Sequence, residues 1–342
     1  MKKYIFALIA VLVMAVSITA CNKNNENSSK KSAGDSKKLQ IVTTIFPEYD
    51  WVMNILGKNP AGIEVTMLLD KGVDLHSFQP TMDDFVKIST CDMFIYVGGE
   101  SDEWVEDALK GAENKNMIVV NLLEVLGDSV KEEEIVEGMQ EEEHDHHHED
   151  GDEDDHDHDY EDEEKEYDEH VWLSLKNAIA LTDHIAKELE KIDSENAEYY
   201  KTNTMAYTEK MKELDKKYQE TVSASSVKTL LFGDRFPFRY MVDDYGLTYY
   251  AAFVGCSAES EASFETITFL SGKVDELSLR AVMTIEGADH RIAETIVKNT
   301  GSKDQKILSL DSMQSVTAKD VENGTTYLSI MEKNLDTLKE AL

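Results

Sequence analysis

Short runs of apolar, largely β-branched residues recur along the chain, and between them the apolar positions return at helical spacing. In the first half, residues 39–45, 63–69, 92–97 and 117–122 read as strands. Helices are predicted from Pro47, from Thr81 (with Asp84 at capping-box spacing) and as a short turn opening at Ser101 and Asp102. Farther along, Ser174 caps a helical pattern reaching about Ile192, and residues 193–225 contain neither Gly nor Pro. That stretch predicts one long helix, or two nearly joined. Alternation then resumes, with strands at 229–233, 248–254, 281–285 and 307–310 and helices near 236–245, 264–276, 292–299 and 326–342. Strand-helix alternation in two blocks predicts an α/β fold of two lobes, each with a mainly parallel sheet, joined by a long backbone helix. The cleft between the carboxyl ends of the two sheets is the expected binding site.

The ends refine this division. Lys2 and Lys3 precede an apolar run over residues 4–18, which ends in Ile18-Thr19-Ala20-Cys21. The run is short for a membrane span and has the form of a secretory signal, a simple membrane anchor being the alternative. Residues 22–38, rich in Asn, Ser and Lys, read as a flexible tether. The expected organisation is a signal over 1–21, a tether over 22–38, a first lobe over 39–192, a linking helix over 193–225 and a second lobe over 226–342.

Charge changes the picture at one place. The chain carries a formal charge of -35, and residues 132–169 hold 23 Asp and Glu against the single Lys165, so that segment supplies -22 of it. Such local acidity argues against a nucleic-acid partner and for a segment that attracts cations. Within an insert spanning about 132–166 lie His144, His146, His147, His148, His156 and His158. Imidazoles interleaved with carboxylates suit zinc and other divalent ions, and the tract reads as a low-affinity metal collector rather than one precise site.

A precise site requires donors on rigid elements. Asp74-Leu75-His76-Ser77-Phe78-Gln79-Pro80-Thr81 places His76 in the loop between the second strand and its helix. Asp168-Glu169-His170-Val171-Trp172-Leu173-Ser174 places His170 just before a helix cap. Each histidine alone is an ordinary loop residue, but together they share an acidic neighbour, a loop-to-helix junction and a lobe.

These two segments, with residues 41–49 and 324–331, give the chain a resemblance to the zinc and manganese solute-binding lipoproteins of bacterial ABC importers. The acidic His-rich insert resembles the zinc branch. The resemblance implies an extracytoplasmic zinc-binding receptor that is not an enzyme, held to the membrane by lipid on Cys21. Its implied partner is an importer permease with its ATPase. It implies four ligands, two from each lobe, of which His76 and His170 match directly. The usual third histidine is missing after the first strand of the second lobe, where Asp234 is the nearest substitute, a helix N-cap being its other reading. Glu286 fits the fourth, acidic position, with Asp289 and His290 close by. Cys256, in a loop bordering the cleft, suits zinc but ranks below Asp234 because the family pattern does not ask for it. Cys91 and Cys256 either pair in an oxidising compartment or are small buried thiols. A set of two imidazoles and two carboxylates also suits manganese, the alternative cargo, and a surface adhesin or metal-storage lipoprotein is the alternative function. A zinc hydrolase is disfavoured, since neither His-Glu-x-x-His nor Gly-x-Ser-x-Gly occurs.

Overall fold

The computed structural model describes residues 38–140, 166–257, 261–287 and 289–342. Cys21 and the six histidines of the insert lie outside the described residues. The first half runs β1 (Gln40–Thr43), α1 (Phe46–Leu56), β2 (Glu64–Met67), α2 (Met82–Thr90), β3 (Met93–Tyr96), α3 (Trp104–Lys110), β4 (Ile118–Asn121) and α4 (Leu122–Leu126). Helices α5 (Leu175–Ile192) and α6 (Ala197–Ala224) follow. The second half runs β5 (Thr229–Phe236), α7 (Arg239–Tyr245), β6 (Thr248–Val254), α8 (Phe264–Leu277), β7 (Ala281–Ile285), α9 (Arg291–Asn299), β8 (Lys306–Leu310), α10 (Ala318–Glu322) and α11 (Tyr327–Ala341). No helix among the described residues is long and apolar enough to cross a membrane.

The two sheets have the same plan. Their strand orders are β2-β1-β3-β4 and β6-β5-β7-β8, and every strand pairing within them is parallel. In each lobe the second strand lies outside the first, so the order reverses between the first and third strands. Loops leaving the carboxyl ends near that reversal are where open α/β sheets bind ligands.

Local capping sets the helix starts. Thr81 and Asp84 form the expected capping box: Thr81 N donates to Asp84 Oδ2 at 3.0 Å and Asp84 N to Thr81 Oγ1 at 3.3 Å. Ser174 Oγ accepts from Asn177 N at 3.0 Å and starts α5. The linking stretch 193–225 is one long helix, α6, set off from α5 by a short turn. Asp193 ends α5 in a non-helical conformation and accepts from the Asn196 amide and the Tyr200 hydroxyl, so the chain turns before α6 begins. Helix α6 then packs along α5.

The lobes share a core. One cluster of buried apolar side chains runs from Ile41, Trp51 and Phe94 in the first lobe through Tyr200, Tyr218 and Tyr327 to Phe232 and Met283 in the second. A smaller cluster around Leu231, Leu270 and Val282 fills the outer face of the second lobe. Polar tips inside the shared core are satisfied across the lobe boundary: Trp172 Nε1 donates to Ser312 O at 2.8 Å, and Tyr327 Oη donates to Trp172 O at 2.7 Å. Opening the lobes widely would expose this layer and strand those groups, so the cleft is held at a nearly fixed width.

Several buried carboxyls lie in this layer. Burial pushes Asp50 up to about 6, against a hydrogen bond from Tyr207 Oη at 2.7 Å. Burial, reinforced by Glu169, pushes Asp102 up to about 7, and burial holds Glu48 well above its usual value. In the unfolded chain such groups ionise near pH 4. The native state therefore keeps protons that the unfolded chain releases between about pH 4 and 7. This contribution to stability is complete below about pH 4 and is lost as pH rises through 6 to 7. The urea midpoint of the metal-free protein should be higher at pH 5 than at pH 7.5, and Asp102→Asn should flatten the difference. A midpoint that rises toward pH 7.5 equally in both proteins would contradict this account.

Candidate metal centre

His76 enters the cleft from a single 3-10 turn, Leu75–Ser77, beyond β2. Asp74 starts the turn, its Oδ1 accepting from His76 N at 3.1 Å. The imidazole is oriented from behind: Nδ1 lies 2.7 Å from Ser101 Oγ and 3.5 Å from Glu169 Oε2. With the Nδ1 proton directed there, Nε2 presents its lone pair to the cleft. Burial and then the neighbouring His170, with help from Arg235, lower the His76 pKa to about 3, so this ring is neutral at any ordinary pH.

His170 occupies the cap of a second 3-10 turn, Val171–Leu173, and is fully buried. Asp168 Oδ1 accepts from its backbone N at 2.9 Å and lies 3.1 Å from its Nδ1. Asp168 is itself fixed by Tyr240, whose hydroxyl donates to Asp168 O at 2.7 Å and accepts from Lys131 N at 3.0 Å. Orienting carboxylates of this kind set the tautomer and direction of a ligating imidazole. The outcome is His76 Nε2 and His170 Nε2 only 3.1 Å apart, with the ring centroids at 5.1 Å. Glu169 supports the other side: its Oε1 accepts from Ser101 N at 2.9 Å. Gly99, at φ +82°, leaves the room for that carboxylate, and a Cβ there would collide with Glu169 Oε1.

The second lobe contributes differently from expectation. Among the described residues, the group of metal-capable side chains is His76, His170 and Cys256, with ligand atoms all within 4.8 Å of one another. Cys256 follows β6 as the His76 turn follows β2, so corresponding strands of the two lobes supply both. Gly255 permits the approach: a Cβ there would lie 3.0 Å from His170 Cε1 and 3.0 Å from Phe236 O. Cys256 and Cys91 are not joined by a disulfide; Cys91 is buried in the first lobe, its Sγ 3.2 Å from Ile88 O. Burial pushes the Cys256 thiol up, and Glu133, Glu169 and Asp168 add to it.

Asp234 and Glu286 are not brought into this group. The first strand of the second lobe runs on to Phe236, beyond the expected end at 233, with a register shift between Phe232 and Arg235. Asp234 is therefore a strand residue and not a helix cap, since α7 starts only at Arg239. Its carboxylate accepts from Arg235 N at 2.9 Å and Ile285 N at 3.2 Å, and burial raises its pKa. Arg235 pairs across the cleft with Asp74. Burial pushes the Asp74 carboxyl up, but the guanidinium outweighs it and holds the group below the usual range. Glu286 accepts from Ser312 N at 2.6 Å, Ser312 Oγ at 2.8 Å and Gln314 N at 3.1 Å. Burial, with Asp311 beside it, pushes Glu286 up to about 7. Asp234 and Glu286 line a cavity of about 360 Å³ together with Asp74, Arg235, Asp289 and His290.

The acidic insert leaves the fold later than its composition suggests. Its two stems pair: Glu133 N donates to Glu166 O at 3.0 Å and Asp168 N to Lys131 O at 2.9 Å. Beyond them Gln140 N donates to Ala252 O at 2.9 Å, so residues 131–140 cross onto the second lobe. Glu133 Oε1 accepts from Cys256 N at 3.2 Å, which joins one stem to the cleft. Glu132 and Glu133 thus belong to the body of the protein despite reading as part of an acidic run.

Two oriented imidazoles, a thiol and surrounding carboxylates form a donor set suited to a divalent first-row cation. Comparison with known proteins agrees with the geometry. The chain is 32% identical over 314 residues to zinc-binding protein AdcA of Streptococcus pyogenes, covering 88% of this chain and 56% of that protein. It thus spans little more than half of that relative. It is 30% identical over 327 residues to the high-affinity zinc uptake system protein ZnuA of Bacillus subtilis, covering 95% of this chain and 93% of that one. The Zn(II)-bound ZnuA-like domain of Streptococcus pneumoniae AdcA superimposes with a TM-score of 0.67 at 28% identity, covering 89% of this chain and 98% of that one. The family described as zinc-uptake complex component A, periplasmic, matches residues 41–341, and the chain belongs to it.

Proposed function

We propose that this chain is an extracytoplasmic zinc receptor that holds one ion tightly in the cleft and passes it to the permease of an ABC importer. The observation that carries this reading is the approach of His76 Nε2 to His170 Nε2 at 3.1 Å. Two lone pairs so close repel unless a proton or a cation lies between them, and with the two Nδ1 protons directed to Ser101 and Asp168 the place is left to a cation. Imidazole donors favour zinc over manganese. The family membership, and the zinc-binding names of the two relatives, point the same way.

The remaining roles follow from the layout. The lipobox-like Ile18-Thr19-Ala20-Cys21 supplies a lipid anchor on Cys21. The histidines His144, His146, His147, His148, His156 and His158 collect ions at low affinity. Closure on the ion is a small adjustment, because the shared core resists a wide hinge. Asp234 and Glu286 line the adjoining cavity, where they hold the backbone of Ile285 and Ser312 in place.

Calorimetric titration of the full chain with zinc should resolve one tight equivalent and several weak ones. His76→Ala and His170→Ala should each remove the tight equivalent. Asp168→Asn, which leaves every donor in place but loosens the His170 ring, should weaken it about 10–100-fold. Mutants that keep full affinity would refute the cleft site.

A second prediction concerns the insert. Deleting residues 141–165, between the paired stems, should remove the weak equivalents and spare the tight one. Loss of the tight equivalent as well would show that the insert supplies essential ligands.

A further inference from the structure

The second lobe offers the ion one donor that the resemblance does not call for. Its first strand presents Arg235 to the cleft, and a guanidinium paired with Asp74 cannot ligate a cation. Asp234 and Glu286 spend their carboxylates on backbone and Ser312 hydrogen bonds. Cys256 remains, with its sulfur within 4.8 Å of a ring nitrogen of each histidine. In tetrahedral zinc, metal–nitrogen bonds of about 2.0–2.1 Å and metal–sulfur bonds of about 2.3 Å put ligand atoms about 3.3–3.7 Å from one another. The 3.1 Å between the two Nε2 atoms is close to that geometry, and the 4.8 Å limit leaves the sulfur at most about 1 Å to move. Among the described residues, the buried Gln314 Oε1 beside the group has no hydrogen-bond partner, while Glu169 Oε2 faces the back of the His76 ring. Glu169 Oε2 lies 3.5 Å from His76 Nδ1, and Gln314 Nε2 lies 3.4 Å from His170 Nε2. Unsatisfied buried groups next to a donor cluster mark a place built for a charged or polar occupant.

Building on the zinc-receptor reading, we propose that Cys256 Sγ is the third ligand and binds as a thiolate. The thiol releases its proton to solvent as the sulfur–metal bond forms. The centre is then two imidazoles and one thiolate, with a fourth position left for water or a neighbouring oxygen. A thiolate contributes little to manganese and much to thiophilic ions, so this receptor discriminates by donor softness. Zinc and cadmium are its preferred ions, and manganese is rejected for lack of oxygen donors.

Cobalt(II) reports the thiolate directly, because sulfur ligation produces an intense near-ultraviolet charge-transfer band. The full chain carrying Cys21→Ser, loaded with one equivalent of cobalt(II), should show that band. Cys256→Ser should abolish it and weaken zinc and cadmium about 10–100-fold while leaving manganese affinity unchanged, and Cys91→Ser should keep the band. Cys256→His should restore tight zinc binding without the band, which separates lost ligation from a damaged fold. A tight zinc equivalent that needs His76 and His170 but yields no band, and survives Cys256→Ser, overturns the thiolate and leaves the receptor reading standing. Absence of any tight zinc equivalent in the parent chain overturns both.

Discussion

The structure is organised around holding two oriented imidazoles face to face. His76 and His170 come from turns 94 residues apart, and their Nε2 atoms stand 3.1 Å from each other. Without a cation, a proton can bridge the gap only if one ring carries it on Nε2 and gives up its Nδ1–H donor to Ser101 or Asp168. The surrounding groups hold it. Ser101 and Glu169 orient one ring and Asp168 the other. Tyr240 clamps the Asp168 backbone, and Gly99 and Gly255 clear space where any side chain would intrude. The preorganisation costs stability in the metal-free protein and returns it as affinity, because the ligands need no reordering on binding.

The duplicated sheet plan explains how two lobes converge on one ion. Strand order is the same in both, so the loops after β2 and β6 occupy equivalent places, and one carries His76 while the other carries Cys256. The shared core then fixes the distance between those loops. Trp172 donates to Ser312 and accepts from Tyr327 across the lobe boundary, and Arg235 closes onto Asp74 beside the site. The stems of the acidic insert add a third tie, crossing from the first lobe to β6 and reaching Cys256 through Glu133. A collector joined to the body at this point is well placed to raise the local ion concentration at the cleft.

Much of this was legible in the sequence because it is locally encoded. The parallel strands announced themselves as apolar runs, Thr81 with Asp84 and Ser174 marked helix starts, and the acidic residues preceding His76 and His170 marked the two junctions. The proposed second-lobe donor, Cys256, was named but ranked below Asp234, because what separates the two is long-range geometry. A register shift after Phe232 lengthens β5 and aims Asp234 at the backbone of Ile285. Arg235 finds its partner 161 residues away, which no local pattern records. The one available signal for Cys256 was its place directly after a strand end, equivalent to the His76 loop. The break at Asp193 falls where the sequence divides the Ser174 helix from the linking helix, and it is made by a side chain capturing Asn196 and Tyr200.

Zinc-edge X-ray absorption on the full chain carrying Cys21→Ser, at one equivalent of zinc, is the most direct test of a centre made by both lobes. The account predicts a first shell of two imidazole nitrogens at about 2.0–2.1 Å and one sulfur at about 2.3 Å. Multiple scattering from the two rings should disappear when His76 and His170 are both replaced by alanine. A shell of carboxylate oxygens alone, unchanged by that double replacement, would contradict it.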